Sequence, residues 1–178
     1  MIVNGQVIPI TYKYSNRAKQ YRIQVYIGGI ITVTIPRYGS KRRAELFVTA
    51  KSNWLIKKIN MLGFISPEMK IYSIDHYKLH REAALALVKE KLTHWTKQKK
   101  FFYSSVTIRQ TKTRWGSCSS NGRLNFNYKI LFLPTELQDY LIVHELCHLI
   151  HHNHSTAFWN LVEELIPAYR QLDQRLRG

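Results

Sequence analysis

The chain has 178 residues, of which 45% are hydrophobic and 21% are charged, a composition that excludes a disordered tail and a membrane bundle. No apolar run approaches the ~20 residues of a membrane-spanning helix, and the first residues show no secretory signal. Lysine and arginine (27) outnumber aspartate and glutamate (11), and the net charge of +16 favours contact with polyanions, although a solvated basic surface gives the same charge.

The first third of the chain predicts a small β unit. Hydrophobic and polar side chains alternate over Tyr21–Ile27, which is the period of a half-buried strand. Gly28–Gly29 then supply a two-residue hairpin turn, and the alternation continues through Val33 and Ile35 until the next proline. We therefore expect a β-hairpin in this region.

A helix is predicted after the hairpin. Ser40 is its expected N-cap, and hydrophobic residues follow at roughly helical spacing: Ala44, Phe47, Val48, Trp54, Leu55 and Leu62. Glycine, serine and proline indicate a linker over Leu62–Ser73. The sequence thus predicts an N-terminal subdomain of a β-hairpin and a helix over residues 1–62, and a compact second domain over residues 75–178.

A second, longer amphipathic helix is predicted from about Asp75 to Lys100. Hydrophobic residues mark one face of it: Leu79, Ala83, Leu87, Val88, Leu92 and Trp95. The other face is strongly basic and includes Lys78, Arg81, Lys89, Lys97, Lys99 and Lys100. Two strands are expected next, over Ser105–Lys112 and Leu124–Leu133, joined by a loop that contains Gly116–Gly122.

The most informative segment is Leu141–Trp159, which contains an H-E-x-x-H motif and five of the eight histidines. Thr135 is expected to cap a helix that starts near Glu136, with Gln138 in the capping-box position. The residues around the motif are apolar almost all round the helix, so the helix should be buried. They are Leu141, Ile142, Val143, Leu146, Cys147, Leu149 and Ile150.

His144 and His148 are four residues apart in this helix, so they project from one face and can share a metal ion. Glu145 lies beside them and can reach a metal-bound water without being a ligand. Polar groups in a buried helix are costly unless they are satisfied. A metal site accounts for these three side chains better than satisfied core histidines with a paired glutamate.

A catalytic zinc ion usually has three protein ligands and one open position, so a third ligand is required. His154 would point away if the helix continued, but Asn153 can end the helix in the left-handed conformation and Ser155 can cap the next helix. His154 is then the favoured third ligand. The alternatives are two carboxylates and the remaining histidines of the segment: Glu163, Glu164, His151 and His152.

The predicted chemistry follows from these parts. Zinc lowers the pKa of a bound water from 15.7 towards ~7 and polarises the bond to be cleaved. Glu145 would take the proton of that water and pass it to the leaving group. The strands before the helix can offer an edge along which an extended peptide aligns, although the sequence does not show which strand is the edge.

Three blocks of sequence resemble a known family: R-W-G-S-C-S at Arg114–Ser119, L-N-F-N-Y at Leu124–Tyr128 and H-E-L-C-H-x5-H-S-x2-F-W at His144–Trp159. With the spacing between these blocks, most of the chain resembles the YgjP-like predicted metal-dependent hydrolases. These are relatives of the SprT-like and WLM zinc peptidases of the zincin superfamily.

The resemblance implies an α+β, zincin-like metallopeptidase domain, with the HExxH helix behind a small β-sheet. From the types of ligand we expect the metal to be one zinc ion per chain. By this resemblance His144, His148 and His154 match the metal ligands and Glu145 matches the catalytic glutamate.

The R-W-G-S-C-S block has two interpretations. Arg114 can bind an anionic substrate group or an oxyanion, with Trp115 and Ser117 as further candidate substrate-binding residues. In the other interpretation, Trp115 anchors a tight loop that a glycine permits. Cys118 could approach the metal, but a small buried residue is the simpler interpretation. Cys118 and Cys147 follow no disulfide spacing, which indicates a reducing compartment and a cytoplasmic location.

The sequence therefore predicts a zinc metallopeptidase that acts on a peptide or protein. One alternative is a zinc-dependent phosphohydrolase acting on a nucleotide, because the same activated water can attack phosphorus and the positive charge favours an anionic substrate. A further alternative is a nucleic-acid-associated protease or binding module, in which the basic face of the 75–100 helix contacts phosphates.

Overall fold

The structure is a computed structural model that describes residues 2–3, 6–7, 9–26, 30–62 and 73–177. The chain divides into two compact units, Met1–Lys70 with Arg177–Gly178, and Ile71–Leu176. The predicted hairpin turn at Gly28–Gly29 and residues 63–72 of the predicted linker lie outside the described residues. None of the helices in the described ranges is long and apolar enough to cross a membrane.

The first unit contains two small sheets. Strands β1 (Ile2–Val3) and β2 (Gln6–Val7) pair antiparallel. Strands β3 (Ile10–Ser15), β4 (Arg22–Tyr26) and β5 (Ile30–Pro36) form the second sheet in the order β3-β5-β4. Strand β5 lies parallel to β3 and antiparallel to β4, and the alternation predicted for it places hydrophobic side chains in the core.

Two helices, α1 (Lys41–Ala50) and α2 (Ser52–Leu62), follow β5. As predicted, Ser40 caps α1, since its side-chain oxygen accepts a hydrogen bond from the Arg43 N–H at 3.3 Å. The single helix predicted here is interrupted at Lys51, whose φ of −102° and ψ of 12° depart from helical geometry. Both helices pack on the sheet through a cluster formed by Ile31, Val33, Ile35, Ala44, Val48, Leu55 and Ile59.

The second unit begins with the long helix α3 (Ile74–Gln98), whose buried residues are Ala84, Val88 and Leu92. The predicted apolar face is wrong in its first half, because the Leu79 side chain is 75% exposed. Ala83 is also exposed. Ring packing replaces this face, through the pairs His76–Tyr128, His76–Phe132, Tyr77–Tyr128 and His80–Phe132.

A three-stranded sheet follows, built from β6 (Ser105–Arg109), β7 (Gly116–Cys118) and β8 (Arg123–Asn127). The strand order is β6-β8-β7, with β8 parallel to β6 and antiparallel to β7. The predicted loop over residues 116–122 thus contains a strand, which the sequence reasoning missed. Strand β6 also ends three residues before the predicted boundary.

The strand predicted over Leu124–Leu133 is half wrong, since β8 ends at Asn127 and a 3-10 helix occupies Tyr128–Phe132. The Asn127 side chain is the physical reason. Its amide oxygen accepts a hydrogen bond from the Lys129 N–H at 3.1 Å and so caps the 3-10 helix.

Three helices complete the unit: α4 (Thr135–Cys147), α5 (Thr156–Leu165) and α6 (Tyr169–Arg177). The cap predicted for α4 is wrong, because Pro134 occupies the N-cap position and makes no side-chain cap hydrogen bond. Proline offers no side-chain oxygen, so a capping box cannot form. Gln138 instead donates from Nε2 to the Leu133 carbonyl at 2.8 Å.

Helix α4 is held against α3 by one carboxylate. Asp139 Oδ1 accepts a hydrogen bond from Lys91 Nζ at 2.8 Å and another from Trp95 Nε1 at 3.1 Å. The chain therefore combines helices with small separate sheets, and the predicted α+β class is confirmed.

Candidate metal centre

Helix α4 carries His144 in its last turn, and its C-cap residue His148 keeps a helical backbone conformation. The rings of His144 and His148 have their centroids 5.0 Å apart, as expected for residues one turn apart. The rest of the helix is apolar and buried almost all round, and nine of its residues are buried. The helix is thus fixed by hydrophobic packing, and its two imidazoles are held on a rigid element.

The chain reverses direction directly after this helix and brings a third histidine back. The reversal was predicted at Asn153 but starts earlier, because the α-helix ends at Cys147. The N–H groups of Leu149 and Ile150 bond to carbonyls three residues back, at 3.0 and 3.1 Å, which tightens the last turn. As predicted, Ser155 then caps α5, its side-chain oxygen accepting from the Phe158 N–H at 3.4 Å.

His154 immediately precedes this cap, and its ring returns to the motif. Its Nε2 lies 3.2 Å from Nε2 of His144. One ring nitrogen from each of His144, His148 and His154 lies within 4.8 Å of the others, a spacing that a single metal ion can bridge. In the part of the chain that the structure describes, no other group of three histidine, cysteine or acidic side chains has such a spacing.

Hydrogen bonds to the remaining ring nitrogens set the orientation of two imidazoles. Nδ1 of His144 lies 3.3 Å from the Tyr140 hydroxyl, which in turn donates to Asp173 Oδ1 at 2.6 Å. Nδ1 of His148 lies 3.0 Å from the His151 carbonyl oxygen. With Nδ1–H as the donor in both rings, Nε2 keeps its lone pair for a cation.

Aromatic rings surround the three imidazoles. His148 stacks on Phe158, with ring centroids 4.5 Å apart and an angle of 28° between the planes. His154 stacks on Trp159 at 5.4 Å and 23°, and Trp159 stacks on Tyr169 at 5.3 Å and 17°. Burial also lowers the pKa of His148, and so favours the neutral ring that binds metals.

Glu145 is the unusual side chain of this region. It is only 4% exposed, and its Oε2 is buried without a hydrogen-bond partner among the described residues. Burial raises the pKa of this carboxyl to about 8, because its charged form is poorly solvated there. A buried carboxyl oxygen without a partner is costly, and a water molecule or a cation bound beside it would remove this cost.

Strand β7 lies directly against this carboxyl group. A Cβ atom added to Gly116 would approach Glu145 Oε1 to 2.5 Å and its Cγ and Cδ to 2.8 Å. Any residue with a Cβ atom at this position would therefore require the Glu145 side chain or β7 to shift. The glycine of the R-W-G-S-C-S block thus makes room for the glutamate of the H-E-x-x-H motif.

Comparison with known proteins agrees with this geometry. The YgjP-like metallopeptidase domain matches residues 73–178, which is more than half of the chain. The chain belongs to the YgjP-like family. The resemblance read from the sequence blocks is thereby confirmed, and the domain is that of a metal-dependent hydrolase. No match was found among curated proteins.

A solved structure is also similar to this YgjP-like chain. It is the crystal structure of the metallopeptidase zymogen of Pyrococcus abyssi abylysin, with 28% sequence identity and a TM-score of 0.44. The similarity covers 49% of this chain and 87% of that one.

The alternative metal ligands that the sequence suggested for this YgjP-like domain lie outside the histidine cluster. The two carboxylates are exposed and face cations, since Glu163 lies 3.9 Å from Arg170 and Glu164 lies 2.9 Å from Lys99. His152 lines a separate cavity of about 430 Å³ with residues that include Phe102 and Leu149.

The candidate substrate-binding residues are spread over the segment that leads into β7. Arg114 is exposed, and its backbone carbonyl accepts a hydrogen bond from Asn127 Nδ2 at 3.2 Å. Trp115 Nε1 donates to the Leu176 carbonyl at 3.3 Å, which agrees with an anchoring role. Ser117 lies on β7 and its Oγ accepts from Asn125 Nδ2 at 3.4 Å.

Cys118 lies on the same strand and is absent from the histidine cluster. Burial and the nearby charge of Glu145 raise the pKa of its thiol to about 11. The thiol is therefore neutral near pH 7, and metal binding requires the thiolate.

Sequence reasoning missed Tyr140 and Asp173. Tyr140 precedes His144 by four residues and shares its helix face, which is a usable signal. Asp173 comes from α6, 33 residues further along, and no local pattern connects it to the motif. The sequence could therefore have revealed Tyr140 but not Asp173.

We expect the Tyr140→Phe variant to bind its metal about 10–100-fold more weakly than wild type, because loss of an outer-shell hydrogen bond typically has that effect. The ring of phenylalanine keeps the packing, so the change isolates the hydroxyl. Competition with a chromophoric chelator measures the affinity. Tyr77→Phe, which removes the hydroxyl that donates to the Ile108 carbonyl at 3.0 Å, is the matched control. Equal affinities in both variants would contradict an orienting role.

Proposed function

We propose that this protein is a zinc peptidase, with His144, His148 and His154 as the metal ligands and Glu145 as the general base. The observation that carries the proposal is the convergence of three imidazole nitrogens within 4.8 Å of one another. The residue next to the first of them, Glu145, has a buried Oε2 with no hydrogen-bond partner among the described residues. Family membership supplies the reaction class, since the matching domain is a metallopeptidase domain.

Three nitrogen ligands favour zinc, which takes three protein side chains in catalytic sites and keeps one position open. A bound zinc ion would supply Lewis acidity that acidifies water and polarises a carbonyl group. Histidines that bind a metal usually donate their other ring nitrogen to a hydrogen-bond partner. His144 and His148 both have such a partner at Nδ1.

The chain's own residues then account for the proton transfers. Glu145 accepts a proton from the attacking water and delivers it to the leaving amine. Gly116 lets the carboxyl lie against β7, so the acceptor oxygen is held by packing rather than by a flexible loop. The Asp173–Tyr140 pair holds the His144 ring during the reaction.

Strand β7 is an edge strand of its sheet and lies beside Glu145. We propose that this strand aligns the substrate. The Trp115 carbonyl and the Ser119 N–H form backbone hydrogen bonds with β8, at 2.7 and 3.0 Å respectively. Because backbone groups alternate in direction along a strand, those of Gly116 and Cys118 face away from β8. An extended peptide paired with them would pass close to the general base.

The metal content of protein purified without a metal-binding tag tests the ligand assignment. We expect about one zinc ion per chain in wild type and a large loss in His154→Ala, measured by mass spectrometry. His152→Ala is the matched control, because His152 lies outside the cluster. Full zinc in His154→Ala, or none in reconstituted wild type, would contradict the proposal.

The phosphohydrolase alternative uses the same activated water and has a simple test. The proposal expects no phosphate release from a nucleoside triphosphate panel above that of Glu145→Gln. Release that depends on Glu145 would instead favour the alternative.

A further inference from the structure

The positive charge of the chain is concentrated in the first unit. Residues 9–62 contain eleven lysines and arginines and a single acid, Glu45. Residues 71–176 contain fourteen lysines and arginines and nine acids. All five ion pairs among the described residues join side chains between positions 81 and 175. The cations described in the first unit therefore have no carboxylate partner among the residues that the structure describes.

Three of these cations line one cavity. The cavity has a volume of about 490 Å³ and lies between the β3–β4 turn, the β5–α1 turn and the first turn of α1. Its cations are Lys19, Arg37 and Arg43, and no acidic residue lines it. The rest of its wall is formed by Asn16, Ala18, Tyr21, Pro36, Tyr38 and Gly39.

The local sequence of α1 makes this cavity electrostatically unusual. The N-terminus of a helix carries partial positive charge and favours acidic side chains. Here the first turn has no acid and begins with Lys41, Arg42 and Arg43. Three cations at the positive end of a helix repel one another and the helix dipole, and a bound anion would offset this repulsion.

An exposed aromatic ring beside the cations indicates which class of anion the cavity would bind. Tyr38 is 89% exposed, although it lines the cavity. The guanidinium carbon of Arg37 lies 5.3 Å from the centre of the Tyr38 ring. Cations that contact phosphates, next to an exposed aromatic ring on which a base can stack, are the typical parts of a site for single-stranded nucleic acid.

We propose that this cavity binds single-stranded nucleic acid, with Lys19, Arg37 and Arg43 contacting phosphates and Tyr38 stacking on a base. The site belongs to the first unit and uses none of the residues of the metal centre. It is also distinct from the basic face of α3, where Arg81 lies 3.8 Å from Glu82, and from Lys99, which is paired with Glu164.

Fluorescence anisotropy of a labelled, mixed-sequence single-stranded oligonucleotide, titrated with the full chain, tests the proposal. The triple variant Lys19→Gln, Arg37→Gln, Arg43→Gln removes the cavity cations. The matched control Lys51→Gln, Lys57→Gln, Lys58→Gln removes the same charge from side chains that do not line the cavity. Circular dichroism checks that both variants are folded.

The cavity variant should bind at least about tenfold more weakly than the control variant. It should also reduce the slope of log affinity against log salt by about 2, because three phosphate contacts are lost. Tyr38→Ala keeps every charge and should weaken binding about fivefold or more through loss of stacking. Equal losses in the two triple variants would overturn the proposal in favour of diffuse surface charge.

Two further probes separate other sources of the same anionic chemistry. Inorganic phosphate at millimolar concentration should not displace the oligonucleotide, and vesicles containing phosphatidylserine should bind no more weakly to the cavity variant than to the control. Displacement by phosphate alone, or vesicle binding that depends on the three cavity cations, would overturn the assignment to nucleic acid. Neither readout depends on peptidase activity.

Discussion

Replacement of Glu145 by glutamine is expected to slow peptide hydrolysis by about 10²–10⁴-fold, which is the usual contribution of a general base. Glutamine has nearly the same shape and cannot accept the proton. Metal content should stay at the wild-type level, because Glu145 does not belong to the cluster of three histidines that would hold the metal. The rate is measured on an unfolded protein or a quenched-fluorescence peptide library.

Stability separates this catalytic effect from a structural one. The environment of Glu145 disfavours its charged form, which is why burial raises its pKa to about 8. A neutral glutamine should therefore be tolerated, and the melting temperature of the metal-free variant should not fall below that of wild type. Glu163→Gln changes an exposed acid and should leave the rate unchanged. A glutamine variant that is as active as wild type would exclude Glu145 as the base.

The second large effect is expected from Gly116→Ala. The new methyl group would lie 2.5 Å from Glu145 Oε1, so either the carboxyl group or β7 must move. A displacement of about 1 Å in a catalytic group can cost 10²-fold in rate. We expect a loss of this size in the rate of hydrolysis, with the metal content unchanged.

A second glycine offers the control for this substitution. Gly122 has a φ of +70° in the turn between β7 and β8, so Gly122→Ala should lower the free energy of unfolding by about 1–2 kcal/mol without a comparable effect on rate. In the Glu145→Gln background, Gly116→Ala should cost little further activity, because the two changes affect the same group. Additive losses would contradict the contact.

The sequence was sufficient for the features that depend on local spacing. The four-residue interval between His144 and His148 defines a shared helix face, and Ser155 predicts the start of the next helix from its own side chain. The return of His154 followed from the need for a third ligand. These expectations use only neighbouring residues and the geometry of one or two turns.

Features that depend on distant partners were missed or misplaced. Strand β7 has three residues, too few for a period to show, and its pairing with β8 defines it. The buried face of α3 shifted away from Leu79 because rings from the 3-10 helix pack beside it. Pro134 replaced the expected threonine cap, since the helix begins at Thr135 itself, one residue earlier than predicted.

The hydrogen bond between Tyr140 and Asp173 spans 33 positions of the chain. At ~5–20 residues per second, a ribosome takes about 2–7 s to add that many residues. During this interval the H-E-x-x-H helix exists without the carboxylate that orients its first histidine. A newly made chain thus completes the proposed site only some seconds after its H-E-x-x-H helix has been synthesised.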